Sequence, residues 1–383
     1  MRKKISLPSG AWAEIDIKAM AHNFREAKRL SRAQLEPVLN RQVDILSVVK
    51  ADSYGHGMLA AVKAIEKEGG LFFAVSNIDE AKELRAGGCR QRILLFEAAF
   101  PEIAPEMVTL DLTPALCSLE MARAFNREAG KAKKLMPVHV KVDTGMSRLG
   151  VWYQDLLPFV RQLLKFDHLY IEGFLTHFPV ADSDRKFTEL QSDVFAGTVA
   201  DLIKESVPFK YLHAANSMGL AGYKNRYFNL VRPGVMLYGL YPDERLRAKV
   251  DLKPVMTVKA RVLMVKAIHR GRGISYGHTV RAARTTPVAV LAVGYSDGYF
   301  RSLSNKADVL LNGKRCRILG RVTMDQVIVD ISRAGRVKAG DVAVLIGRQR
   351  DGVITAEEVA SRAGTINYEV TCNLGNRLTR VYR

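Results

Sequence analysis

Ser47-Val48-Val49-Lys50-Ala51-Asp52-Ser53-Tyr54-Gly55-His56-Gly57 joins a β-branched apolar run to a polar, glycine-rich turn, with one lysine at the junction. β-Branched residues suit a strand, and the glycines that follow mark the turn that ends it. Such a strand delivers an amine to the edge of a sheet, where loop residues surround it. Out of bulk water, that amine loses pKa from its reference near ~10.4 and becomes the nucleophile an imine requires. The same stretch also describes a strand-end lysine pointing into solvent, because buried lysines are rare. Partners elsewhere in the chain decide between the two.

Outward from Lys50, the pattern repeats. Apolar strand candidates fall at 45–50, 71–76, 93–96, 108–112, 136–143, 171–178, 211–216 and 230–238. Helical stretches lie between most of them, as at 79–86, 116–129, 153–166 and 184–205. Strands alternating with helices imply a parallel sheet, and eight such units imply a closed (β/α)8 barrel of the TIM type. An open doubly wound sheet fits less well, because no Gly-x-Gly-x-x-Gly follows the first strand. Past residue 247 the pattern changes to strands at 253–268, 286–294, 309–311, 316–319, 327–331 and 341–346, separated by turns such as Asn312-Gly313. Only 356–363 reads as a helix there. The fold class is therefore α/β: a barrel over residues 1–245, then a mainly β domain over 246–383.

A chain of 383 residues suits two domains. No apolar run reaches membrane-spanning length, and the basic start has no apolar stretch behind it to make a signal peptide. The four cysteines, Cys89, Cys117, Cys316 and Cys372, have neither metal-ligand spacing nor the density of a disulfide framework. No metal and a cytoplasmic location are expected. The net charge of +19 is uneven. Residues 1–245 hold 33 Lys and Arg against 29 Asp and Glu, a balance of +4; residues 246–383 hold 25 against 10, a balance of +15. The basic residues of the second part stand singly, without interleaved aromatics, which fits a solvated surface better than nucleic-acid binding.

In a barrel, chemistry belongs at the C-terminal ends of the strands. Those ends carry Lys50 and Tyr54, then Lys141 to Arg148, then Thr176-His177, then His213 to Ser217, then Arg232-Pro233-Gly234-Val235. Ionisable side chains at five strand ends point to a site. Ser217, Tyr54 and the Gly234-Val235 backbone offer donors for phosphate oxygens, and Arg148 and Arg232 offer fixed charge. A reactive lysine facing phosphate donors suits pyridoxal 5'-phosphate.

These residues resemble the alanine racemase family, the barrel-type pyridoxal-phosphate enzymes. The resemblance covers essentially the whole chain. It runs through 50–57, 141–150, 213–217, 231–239, Ser275-Tyr276-Gly277, 294–298, 320–326 and Ile366-Asn367-Tyr368-Glu369. It implies a barrel plus a β domain that the first residues join. It also implies an isomerase that interconverts L- and D-alanine and supplies D-alanine for peptidoglycan. Lys50 would carry the imine and act as one base. Tyr276 would be the second base, reaching the site of the other subunit of a homodimer. Two bases on opposite faces let one remove the α-proton and the other return it.

The resemblance also assigns supporting roles. Arg232 would face the pyridine nitrogen, where its inability to accept a proton weakens the electron sink and disfavours transamination. His177 and Arg232 would be the cations beside Tyr276 that lower its pKa. Lys141 would be carbamylated and hold Arg148, which would meet the cofactor's phenolic oxygen and the substrate carboxylate; pairing with Asp143, or solvation, is the alternative for Lys141. Met324 of the other subunit would add a backbone donor to that carboxylate. Tyr54, Ser217, Gly234, Val235 and Tyr368 match the phosphate site, with Asn216 and Tyr295 in support. Ser53, His278 and the proline-free Arg377-Leu378-Thr379-Arg380 depart from the usual pattern. His56 reads as a loop-orienting residue, and Asp297 as a turn or interface residue. A broader racemase acting on serine or basic amino acids, and a non-catalytic pyridoxal-phosphate carrier, are the alternative functions.

Overall fold

The computed structural model describes residues 10–33, 43–97, 100–224 and 227–383. They form two compact units. Of the described residues, one takes those within 20–53 and 58–252; the other takes 10–19, Tyr54–Gly57 and Lys253–Arg383.

The first unit is a parallel barrel with eight strand positions. Ser47–Val48, Phe72–Val75, Arg92–Leu95, Thr113–Leu116, Met136–Asp143, Leu169–Leu175 and Tyr211–His213 pair in that order, every pair parallel. Leu230–Val231 closes the ring by pairing parallel with Asp44–Ile45. Its other edge is tied by Asn229 N to Leu212 O at 3.1 Å and Arg232 N to Ala215 O at 2.8 Å. Among the described residues, closure leaves neither end strand of the ring unpaired. Phe73, Leu94, Leu116, Val138, Val140 and Phe174 are buried.

Several boundaries differ from the sequence expectation. The first strand is two short pieces, Asp44–Ile45 and Ser47–Val48, and the chain turns before Lys50. The expected strand at 108–112 is the end of a helix, Ala104–Thr109, whose Ala104, Met107 and Val108 share the helical period that buries them. The strand comes later, at Thr113–Leu116, and contains Pro114. A proline cannot donate to a ladder, so a strand that holds one is poorly marked in sequence. The expected strand at 230–238 stops at Val231. Pro233-Gly234 breaks it, and Val235–Tyr238 is a 3-10 turn.

In the second unit, Ala11–Ile15 lies antiparallel to the long strand Met256–Ile268 and parallel to Thr379–Tyr382. Met256–Ile268 also pairs with Val342–Gln349 and Thr286–Leu291. The unit is mainly β, and Ala11–Ile15 brings an early strand beside the late strand Thr379–Tyr382. It holds a second helix that the sequence reading missed, Asn367–Cys372, six residues long and carrying Tyr368.

Candidate functional site

The turn after the first barrel strand has unusual backbone. Ala51, Asp52, Ser53 and Tyr54 have φ between 50° and 55°, and Gly55 has 81°. Ala51–Gly55 thus form a turn of left-handed helix, which costs a residue with a Cβ about 1–2 kcal/mol each. Strain of this kind persists only where surroundings enforce it, and it gathers at functional sites. Glu80 is one enforcer. Its two carboxylate oxygens accept from Ala51 N at 2.6 Å and Ser76 N at 2.7 Å. Asp52 Oδ1 accepts from Met58 N at 2.7 Å. The sequence showed the turn but neither its handedness nor Glu80.

Around the barrel mouth, the charges that weigh on one another are cations. Burial first, then Arg148 and Arg232, pull the Lys141 amine down to about 8. Burial, then Arg232, Arg148, Lys141 and Lys50, pull His177 down to about 3. His177 is therefore neutral at physiological pH. The cation expected of it is absent, and the fixed charge there belongs to Arg232. Arg232 is 3% exposed; burial lowers it to about 9, so it keeps its charge at neutral pH. Its Nη2 donates to Thr176 O at 2.7 Å and Ala214 O at 2.9 Å and lies 3.4 Å from His177 Nδ1. Its Nη1 lies 2.9 Å from His213 Nδ1.

Arg148 sits exposed on a loop whose entry is set by Asp143, which accepts from Gly145 N at 2.9 Å and Ser147 N at 3.1 Å. No ion pair links Asp143 to Lys141 among the described contacts. Ser217 and Gly234 are brought together: Ser217 Oγ accepts from Gly234 N at 2.9 Å and Met236 N at 3.4 Å. Asn216 caps the helix Ser217–Gly222 through Gly219 N at 2.9 Å. Val235 is buried. Four cations with no carboxylate among the charges that weigh most on Lys141 and His177 suit a ligand carrying several negative charges. The Ser217 hydroxyl accepts from Gly234 and keeps its own proton to donate, which suits a phosphate oxygen. The residues present therefore fit pyridoxal 5'-phosphate.

The second unit holds the other assigned residues. The Tyr54 and Tyr368 rings lie 6.2 Å apart, inclined at 53°. His56 is fully buried, with Nδ1 2.9 Å from Tyr54 O, which agrees with an orienting role. Arg380 donates to Gly55 O at 3.2 Å, Leu374 O at 2.7 Å and Gly375 O at 2.8 Å. Tyr276 tops the hairpin formed by Gly273–Ile274 and Val280–Arg281 and is 73% exposed. Met324 is 53% exposed. Its carbonyl accepts from Ser296 N at 3.1 Å and Ser296 Oγ at 2.6 Å. Asp297 accepts from Gly294 N at 2.9 Å, the turn role expected of it.

Two family models match the chain: the alanine racemase N-terminal domain over residues 15–242 and the alanine racemase C-terminal domain over 255–382. The chain is 42% identical over 373 residues to the alanine racemase of Carboxydothermus hydrogenoformans, covering 97% of this chain and 99% of the relative. It is similar in structure to the alanine racemase of Clostridium difficile 630, with a TM-score of 0.92, 32% identity, and coverage of 99% and 97%. The Bartonella henselae alanine racemase with covalently bound pyridoxal phosphate is similar at a TM-score of 0.86 and 29% identity, with coverage of 98% and 100%.

Proposed function

Because this chain belongs to the alanine racemase family, we propose that Lys50 of one subunit and Tyr276 of the partner subunit are the two bases that exchange the α-proton of alanine. The reaction is the pyridoxal-phosphate-dependent interconversion of L- and D-alanine. The bound cofactor supplies an electron sink that acidifies the α-carbon. The observation that carries the reading is the cationic barrel mouth, with Arg232 buried at about 9 beside a neutral His177 at about 3.

Each assigned residue has a defined task. Lys50 Nζ moves the proton on one face, and the partner's Tyr276 Oη moves it on the other. Arg232 offers an N–H to the pyridine nitrogen and cannot take its proton. Arg148 and the Met324 backbone N–H of the partner subunit bind the substrate carboxylate. Tyr54, Ser217, Gly234, Val235 and Tyr368 hold the phosphate, with Asn216 setting the start of the Ser217 helix. Lys141 is carbamylated: an amine at about 8 is neutral often enough to add carbon dioxide. Its carbamate would offset the surrounding cations and orient Arg148. A 73% exposed Tyr276 supports a homodimer in which each β unit serves the other barrel. The four cysteines are unbridged, which supports a reducing, cytoplasmic setting. No helix among the described residues is long and apolar enough to cross a membrane.

Incubation of the holoenzyme with L-alanine in deuterated water tests the proposal. Alpha-deuteration with decay of optical rotation to zero is expected, and retention of rotation would refute it. Lys50→Ala is expected to abolish the visible absorbance of the imine. Tyr276→Phe is expected to keep that absorbance while slowing proton exchange at one face.

A further inference from the structure

Beneath Arg232, a line of buried polar side chains runs through the barrel interior. His213 Nδ1 lies 2.9 Å from Arg232 Nη1. His213 Nε2 lies 2.7 Å from His139 Nδ1. His139 Nε2 lies 3.0 Å from Glu172 Oε2, and Arg92 is paired to that same oxygen. Both histidines are fully buried and Glu172 is 7% exposed. Nothing in the proposed reaction uses His139, Glu172 or Arg92.

The chemistry of the ends fixes the direction of every bond between them. A guanidinium only donates and a carboxylate only accepts. His213 Nδ1 must therefore accept from Arg232, which leaves its proton on Nε2. His139 Nδ1 must accept that proton's bond, which leaves its own proton on Nε2, aimed at Glu172. Each ring has one proton and one lone pair, and both are used. Burial holds both rings below the ordinary histidine value, so each stays neutral. Burial raises Glu172, but His139 and Arg92 outweigh it and keep the carboxylate ionised.

We propose that Glu172 and His139 are positioning residues for Arg232: their hydrogen bonds lock the His213 imidazole as an acceptor that holds the guanidinium in place. The role rests on the reading that Arg232 faces the cofactor's pyridine nitrogen. Glu172 needs only an acceptor oxygen for this task, because one oxygen serves both His139 and Arg92. The ion pair with Arg92 is secondary. That separates the relay from a simple buried salt bridge.

The test uses the full-length holoenzyme with ¹⁵N-labelled histidine. In the wild type, His139 and His213 are expected to show neutral rings protonated on Nε2; an Nδ1-protonated or charged ring at either position overturns the relay without any variant. Glu172→Gln keeps an oxygen for His139 and loses the charge. It is expected to keep both ring signatures and to stay within about twofold of wild-type kcat. Glu172→Met is nearly isosteric and has no acceptor. It is expected to show a second, Nδ1-protonated population of His139 and His213 and a shifted cofactor absorbance. Its kcat is expected to fall about tenfold at little changed KM, the scale of one lost charge-assisted hydrogen bond. Equal losses in the two variants would assign the effect to the ion pair and overturn the proposal, as would a Glu172→Met enzyme with wild-type rings and rate. Absence of alanine racemisation by the wild type would fail the functional reading alone, since the ring signatures are read independently of turnover.

Discussion

Lys141 and His139 lie two apart on the strand Met136–Asp143, so both side chains face the same side of the sheet. There burial and like charge act on Lys141 together, and its amine reaches about 8. Addition of carbon dioxide to that neutral amine forms a carbamate and releases one proton. With ¹³C-labelled bicarbonate, the enzyme is expected to show one slowly exchanging carbonyl resonance, which Lys141→Met removes while lowering activity at least about tenfold through the loss of Arg148's partner. A wild type without that resonance would exclude the carbamate. Lys50, Arg232 and Ser217 were legible as candidates because polar residues closing apolar strands are visible locally. His139, Glu172 and Glu80 were not. Their roles depend on partners such as His213, 74 residues from His139, and Ala51, 29 residues from Glu80. His177 was legible as a candidate but not as a neutral one, since its charge depends on four cations brought near it by folding.

The left-handed turn over Ala51–Gly55 stores strain that its supports must offset. A Cβ at Gly55 would stand 2.1 Å from Thr371 O, so Gly55→Ala is expected to destabilise the protein by more than about 2 kcal/mol and to loosen the Tyr54–Tyr368 contact. Ala51, exposed at φ 52°, invites the opposite change. Ala51→Gly is expected to stabilise by up to about 1 kcal/mol, because relief of αL strain exceeds the entropy glycine adds to the unfolded chain. Thermal unfolding of the two variants checks both signs. Strand and helix alternation was readable from hydrophobic period alone. Handedness was not, because a Lys-Ala-Asp-Ser-Tyr run has no intrinsic preference for positive φ and adopts it only under contacts such as those of Glu80 and Asp52. Asn367–Cys372 escaped notice because six residues are too few to show a helical period.

At the scale of the whole molecule, two predictions stand on assembly and on charge. Leu263, Met264 and Val265 are exposed in succession on the long β strand, and Tyr276 and Met324 are exposed on the same unit. If sites are shared between subunits, Lys50→Ala and Tyr276→Phe chains unfolded and refolded together recover about a quarter of wild-type activity, because half of the dimers are mixed and each has one intact site. No recovery would place both bases in one chain. His139, His177 and His213 are all kept neutral: His139 by burial, which outweighs the opposing pull of Glu172; His177 by burial and the cations of the mouth; His213 by burial, Arg232 and His139. Unfolded, each takes up a proton near its reference value of about 6.5. Their contribution is therefore complete above that pH and is lost as pH falls below it. The loss is at most about 4 kcal/mol per pH unit for three rings, so urea midpoints at pH 7 and pH 5 are expected to differ clearly. Equal midpoints would contradict the neutral assignments. The sequence by itself determined the barrel, the β domain and the candidate residues at the strand ends, because periodicity, turn chemistry and residue type are local properties. Only the tertiary structure decided that the turn after Val49 is left-handed, that His177 carries no charge, and that Arg232 stands on a buried line to Glu172. Each of these depends on burial and on side chains that meet only when the chain has folded.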